Sequence, residues 1–246
     1  MPIIFKVSRS IDFTTDLVAR YLFTSDTSDS LGNYSDVYAG SGVTFDSSGA
    51  RMQTTSNHKI KFGADGLSNL STTLNDLNGV GGTISFWVKM NTGYTAGGTA
   101  DNRYIFGSYR GGSANQRGVH FGYFDQNSVL ASGAGGWHFF NSASPASAGY
   151  EGIVATGDSG TSEVHIVVTI DNGDFRMYKD GSLVGTETAS YWPEYSLEWE
   201  VNGSAGSYLT SRMFDGWFKD LCVWDGRVLS AAEVAALYSN GSAGSF

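Results

Sequence analysis

Cysteine is almost missing: Cys222 stands alone in 246 residues. No intrachain disulfide can form, which excludes a small secreted scaffold stapled by bridges. Only 3 prolines occur. Charge is scarce as well, at 16% of residues against a usual ~25%. The 15 bases are outnumbered by 24 acids, for a net charge of -9, and no two basic residues are adjacent. A nucleic-acid surface needs clustered Lys and Arg to release counterions, and an anionic membrane needs the same. Neither is an expected partner. No apolar run reaches the ~18 residues that a membrane-spanning helix needs. The opening Met1-Pro2-Ile3-Ile4-Phe5-Lys6-Val7-Ser8-Arg9 has no basic segment leading into an apolar stretch, so no classical export signal is read there. Without charged heptads a coiled coil is excluded.

Glycine and aromatics are what the chain has in excess. Glycine makes up 33 of 246 residues, nearly twice the ~7% norm, and follows no triplet period, which excludes collagen. Aromatics reach 14%, too many for a disordered chain. Many short strands joined by glycine turns are expected. Residues 1–16 read as an arm, with Ile3, Phe5 and Val7 alternating as a short strand; the body is expected over 17–246. Leu17 to Phe23 is a short apolar-aromatic strand. In Gly82 to Met90, the residues Ile84, Phe86, Val88 and Met90 share one face. Two further strands are expected at Tyr104–Gly107 and Val119–Phe124, and another at Trp137–Phe140 between long loops. Val164 to Thr186 reads as a three-stranded meander turned at Asn172-Gly173 and at Asp180-Gly181, the first being the pair that a type I′ turn favours. One helix is expected, opened by a capping box from Ser230 to Glu233 and closed at Asn240-Gly241.

Four stretches carry a resemblance. They are Leu17 to Asn33, Thr83 to Lys89, Val167 to Gly185, and Phe214 to Trp224 followed by Leu229 to Val234. In that order the chain resembles the laminin-G-like jelly roll of the concanavalin A-like lectin/glucanase superfamily, over residues 17–241. The resemblance implies an all-β fold: two antiparallel sheets packed face to face, with one short C-terminal helix. It also implies roles ranging from glycan binding to adhesion and scaffolding, because fold alone does not settle function.

Three candidate sites follow. The turn Asp26-Thr27-Ser28-Asp29-Ser30-Leu31-Gly32-Asn33 offers hard oxygen donors, so Asp26, Asp29 and Asn33 are candidate Ca²⁺ ligands; the plainer interpretation is an Asx turn. Tyr94, Tyr109, Trp137, Trp192 and Tyr195 lie in or beside turn-rich stretches and could stack on sugar rings. They would serve equally well in packing or at an interface. Glu198 and Glu200 project from one face of a strand, the spacing of a retaining glycosidase pair. The glucanase pattern Glu-x-Asp-x-x-Glu is not completed here, so a solvated strand face with Leu197, Trp199 and Val201 inward is expected instead. The four histidines, His58, His120, His138 and His165, show no metal spacing, and no Gly-x-Ser-x-Gly elbow marks a nucleophile.

The expectation is a protein without catalytic activity. Glycan, or a neighbouring protein on a virion such as a phage particle, is the expected partner, with Ca²⁺ as a possible cofactor. The 1–16 arm would serve docking or homo-oligomer formation. A secreted carbohydrate-binding module and a glycoside hydrolase or lyase are the alternatives.

Overall fold

The computed structural model describes residues 11–54, 58–63, 70–91, 103–110, 117–124, 136–142, 151–157, 160–188, 198–202 and 213–241. Two antiparallel sheets form the body. The first runs β13 (Ser182–Thr188), β12 (Asp174–Lys179), β11 (Val164–Asp171), β6 (Gly82–Met90), β15 (Gly216–Asp225), β4 (Gly49–Met52) and β3 (Thr44–Asp46), with β1 (Leu17–Tyr21) also paired to β15. The second runs β10 (Glu151–Thr156), β9 (Gly136–Ser142), β8 (Arg117–Phe124), β7 (Arg103–Arg110), β14 (Trp199–Val201), β5 (Ile60–Phe62) and β2 (Tyr38–Ala39). This is the expected sandwich.

Alternation builds the core between the sheets. Ile84, Phe86, Val88 and Met90 of β6 are all buried in it, as the pattern predicts. Phe86 lies at its centre, 5.0 Å from Phe218, 5.5 Å from Phe106 and 5.0 Å from Phe121 between ring centroids. Such ring pairs contribute ~0.5–1.5 kcal/mol each beyond the area they bury. The meander forms as read. Asn172 and Gly173 both take positive φ, 48° and 92°, which only a short or absent side chain tolerates at low cost. Glycine-rich residues 131–160 hold two strands, β9 and β10, where one was expected.

Helix α2 (Ala231–Ser239) has the predicted capping box: the Glu233 backbone N–H donates to Ser230 Oγ, and the Glu233 carboxylate accepts from the Ser230 N–H at 2.8 Å. Leu229, Val234 and Leu237 pack with Val167, Cys222 and Trp224 on the first sheet's outer face. Phe13 joins this second cluster, and its carbonyl accepts from Trp224 Nε1 at 2.8 Å. Packing therefore starts four residues before Leu17, within the segment expected as an arm. Residues 1–10 lie outside the described residues.

A second helix, α1 (Leu70–Val80), was not expected. Its sequence LSTTLNDLNGV is rich in Ser, Thr, Asn and Gly, which are poor helix formers. Burial compensates: Leu70, Leu74 and Leu77, spaced four and three apart, enter the main core. The helix also clamps β14, whose Trp199 N–H donates to Ser71 Oγ at 3.0 Å and whose Trp199 Nε1 donates to Asn75 Oδ1 at 2.8 Å.

Candidate functional site

Strand β14 is fixed on every side. It pairs with β5 and β7, α1 holds Trp199, and Asn202 locks its end. The Asn202 amide donates to the Gln53 and His58 carbonyls and accepts from the Phe214 N–H at 2.7 Å. Trp199 and Val201 point into the core. Glu198 and Glu200 therefore point out of the second sheet, away from the core.

Cross-strand register extends this outer face into a row. Tyr38 stands opposite Lys61, Lys61 opposite Glu200, Glu200 opposite Gly107, and Gly107 opposite His120. Tyr38 is exposed at 39%. Lys61 Nζ lies 2.9 Å from Glu198 Oε2 and 3.8 Å from Glu200 Oε1. Gly107 has φ 154°, and a Cβ there would meet the Val119 carbonyl oxygen at 2.1 Å, so the row carries no side chain between Glu200 and His120. Next to it the same face is aromatic: Tyr104 meets His120 edge-on at 4.5 Å, and Phe124 meets both Tyr104 and His138.

The expected solvated strand face is corrected here. Glu200 is buried, with its side chain only 3% exposed, while Glu198 and Lys61 keep 22% each. Burial raises the Glu200 carboxyl above its ordinary value; Lys59 opposes this, and the neighbouring Glu198 adds to it. Burial also pushes His120 down to about 3, so its imidazole is neutral. The arrangement is an exposed ring beside an ammonium and two carboxyls, one on the rim and one beneath.

The Asp26–Asn33 turn has a different task. Both oxygens of Asp29 are occupied: Oδ1 accepts from the Arg20 and Leu31 N–H groups at 2.8 and 3.2 Å, and Oδ2 from those of Asn33 and Tyr34 at 2.9 and 3.1 Å. Asn33 donates its side-chain amide to the Val18 carbonyl. Asp26 accepts from Ser28 and Ser25, and the Ser28 hydroxyl is the main cause of its lowered pKa. This donor set does not fit Ca²⁺, because the one buried carboxylate has its lone pairs filled by backbone N–H groups. Among the described residues, no group of three or more His, Cys, Asp or Glu is placed to hold a metal.

Of the aromatic candidates, Trp137 is corrected to a core residue. It is fully buried, stacked on Phe121 at 5.6 Å and 11°; its Gly- and Ser-rich flanks had placed it near turns. Tyr109 falls in β7, and its side chain is not among those described. Tyr94, Trp192 and Tyr195 lie outside the described residues. Sequence reading missed Tyr38, Lys59 and Lys61. The pairing of β5 with β14 brings Lys61 to the site and that of β2 with β5 brings Tyr38, and strands of two and three residues leave no periodic signal.

On the first sheet, Ser85 Oγ and His165 Nε2 are 2.7 Å apart. Asp180 binds the His165 backbone N–H at 2.9 Å, not its ring. Among the described residues Nδ1 has no partner, and none of them orients the imidazole as the third member of a triad would.

The fold and this face define a lectin-like sandwich of two antiparallel sheets. A family model described as the concanavalin A-like lectin/glucanases superfamily, of the laminin-G type, matches residues 62–235. The chain belongs to that superfamily. No curated protein matches it in sequence. Among solved structures it is similar to the botulinum neurotoxin type G receptor-binding domain, at TM-score 0.60 and 17% identity over 91% of this chain and 51% of that one. It is equally similar to domain 4 of AbnA, a GH43 extracellular arabinanase from Geobacillus stearothermophilus in complex with arabinotriose, at TM-score 0.60 and 16% identity over 90% of this chain and 98% of that domain. A sialidase from Trypanosoma rangeli, in complex with 2,3-difluorosialic acid, matches at TM-score 0.63 and 12% identity over 93% of this chain and 34% of that one. The chain spans about half the length of the toxin domain. At these identities the likeness is one of fold.

Proposed function

We propose that this chain is a non-catalytic glycan-binding domain, with its ligand on the outer face of the second sheet. One observation carries the reading: an exposed tyrosine, Tyr38, in register with Lys61 and Glu200 on a single row. A sugar presents a C–H face to an aromatic ring and hydroxyls to charged groups, and this row offers both. Structures of the same fold that bind arabinotriose or a receptor support it. The test is a glycan array probed with the wild type and with Tyr38→Ala; signals lost in the variant support the site, and an empty array removes the reading.

The Glu198–Glu200 pair favours a second reading, glycoside hydrolysis. Against it, Glu200 is buried beneath Lys61, whereas a general acid must reach the glycosidic oxygen. No reducing ends should form from β-glucans, alginate or capsular polysaccharides. Turnover that vanishes in Glu200→Gln would reverse the choice.

The setting we propose is a virion, as a phage decoration, fibre or tail-associated protein docked through residues 1–16 to a neighbour or to a sister copy. A glycine- and aromatic-rich sandwich that closes its core without a disulfide supports it. Deleting residues 2–12 should leave the fold intact and abolish incorporation into particles.

A further inference from the structure

Resting on the glycan-binding reading, we propose that Glu198 and Glu200 share one proton in the free protein, and that a neutral glycan expels it by donating hydroxyls to Glu198. Two orphan atoms point to this. Glu198 Oε1 and Glu200 Oε2 are both buried, and among the described residues neither has a hydrogen-bond partner. Such groups are rare and costly. Two ionised carboxylates cannot bond to each other, since both only accept. One proton between them satisfies both atoms at once. The two side chains share a face, and Lys61 Nζ lies against both, 2.9 Å from Glu198 Oε2 and 3.8 Å from Glu200 Oε1.

The surrounding charges agree. Burial dominates the shift in Glu200, and Glu198 adds to it. Lys61 of β5 and Lys59 just before it oppose the shift. Opposite Glu200 on β7 stands Gly107, and beyond it on β8 the neutral His120. From β2 comes the uncharged Tyr38. Lys61 bonds Glu198 more closely, at 2.9 Å against 3.8 Å, so the negative charge sits on Glu198 and the proton on Glu200.

Glu198 is the partly exposed member. A sugar hydroxyl donated to it replaces the donation from Glu200 and favours the doubly ionised pair, which Lys61 bridges; the proton leaves to solvent. An acidic sugar would bring a third carboxylate to the same rim and would retain the proton or take up another. The sign of proton exchange therefore reports the ligand class.

The experiment is calorimetry in two buffers of different ionisation enthalpy. The neutral probes are arabinotriose, cellotetraose and maltotriose; the acidic ones are sialyllactose and trigalacturonate. A neutral probe should bind at least about tenfold tighter than the acidic ones and release up to about one proton. Glu200→Gln and Glu198→Gln should each remain folded and bind without proton release. Binding with no exchange, with uptake, or with preference for acidic probes overturns the inference and leaves glycan binding standing. Failure of every probe removes both. Independently of any ligand, the Glu200 carboxyl ¹³C shift should titrate above the ordinary glutamate value; titration at the ordinary value would also overturn it.

Discussion

Ser85 and His165 face each other across adjacent strands, hydroxyl to imidazole at 2.7 Å, in the interior of the first sheet's outer layer. The ring is stacked against Trp87 at 4.8 Å and lies near Tyr238 of α2 at 6.1 Å. Burial holds its pKa down at about 4. The contact is structural, and it has an acid-side consequence.

A histidine whose folded pKa lies below its unfolded value stabilises the fold above the unfolded pKa, and that stability is lost as pH falls toward the folded one. For His165 the window runs from ~6.5 down to about 4. Urea midpoints should fall across it, with His165 accounting for ~3 kcal/mol. In His165→Gln this part of the slope should flatten. An unchanged slope would mean the imidazole is not held neutral.

Glu200 works in the opposite direction. Its folded pKa is raised, so its relative stability is present below the unfolded value and is lost as pH rises through the folded one. Glu200→Gln should gain stability relative to wild type as pH climbs above ~4.3, and the two should converge in acid. Parallel curves would contradict the burial described for this carboxyl.

Asp29 should be among the most sensitive surface-loop positions. Asp29→Ala leaves four backbone N–H groups without their acceptor, a loss of ~3 kcal/mol or more. Asp29→Asn should lose less, since one oxygen is kept. Because four backbone N–H groups already fill this carboxylate, melting in EDTA and in millimolar calcium should coincide. A midpoint raised by calcium would show that the loop rearranges around an ion.

Much of the fold was legible from local pattern. The period-two run in β6, the Asn172-Gly173 turn and the Ser230–Glu233 box each carry their signal within a few residues. Helix α1 was hidden because its stability comes from Leu70, Leu74 and Leu77 in the core, not from propensity. The site was half legible. Glu198 and Glu200 flank Trp199, so their common face followed from alternation. Their burial, and their neighbours Lys61 and Tyr38, depend on pairing across β14, β5 and β2, which no spacing in the chain encodes. Trp137 shows the converse: glycine-rich flanks read as loop, while register buries it between Phe121 and Tyr123.

The most direct test of a glycan site around Tyr38 is a titration of the wild type, Tyr38→Ala and Tyr238→Ala with whichever oligosaccharide the array identifies. Both tyrosines are 39% exposed, Tyr38 on the second sheet and Tyr238 on α2 against the first. Binding should weaken by about tenfold or more in Tyr38→Ala, the cost of losing one stacking ring, and should be unchanged in Tyr238→Ala. Equal binding by all three proteins, or loss only in Tyr238→Ala, would contradict the account.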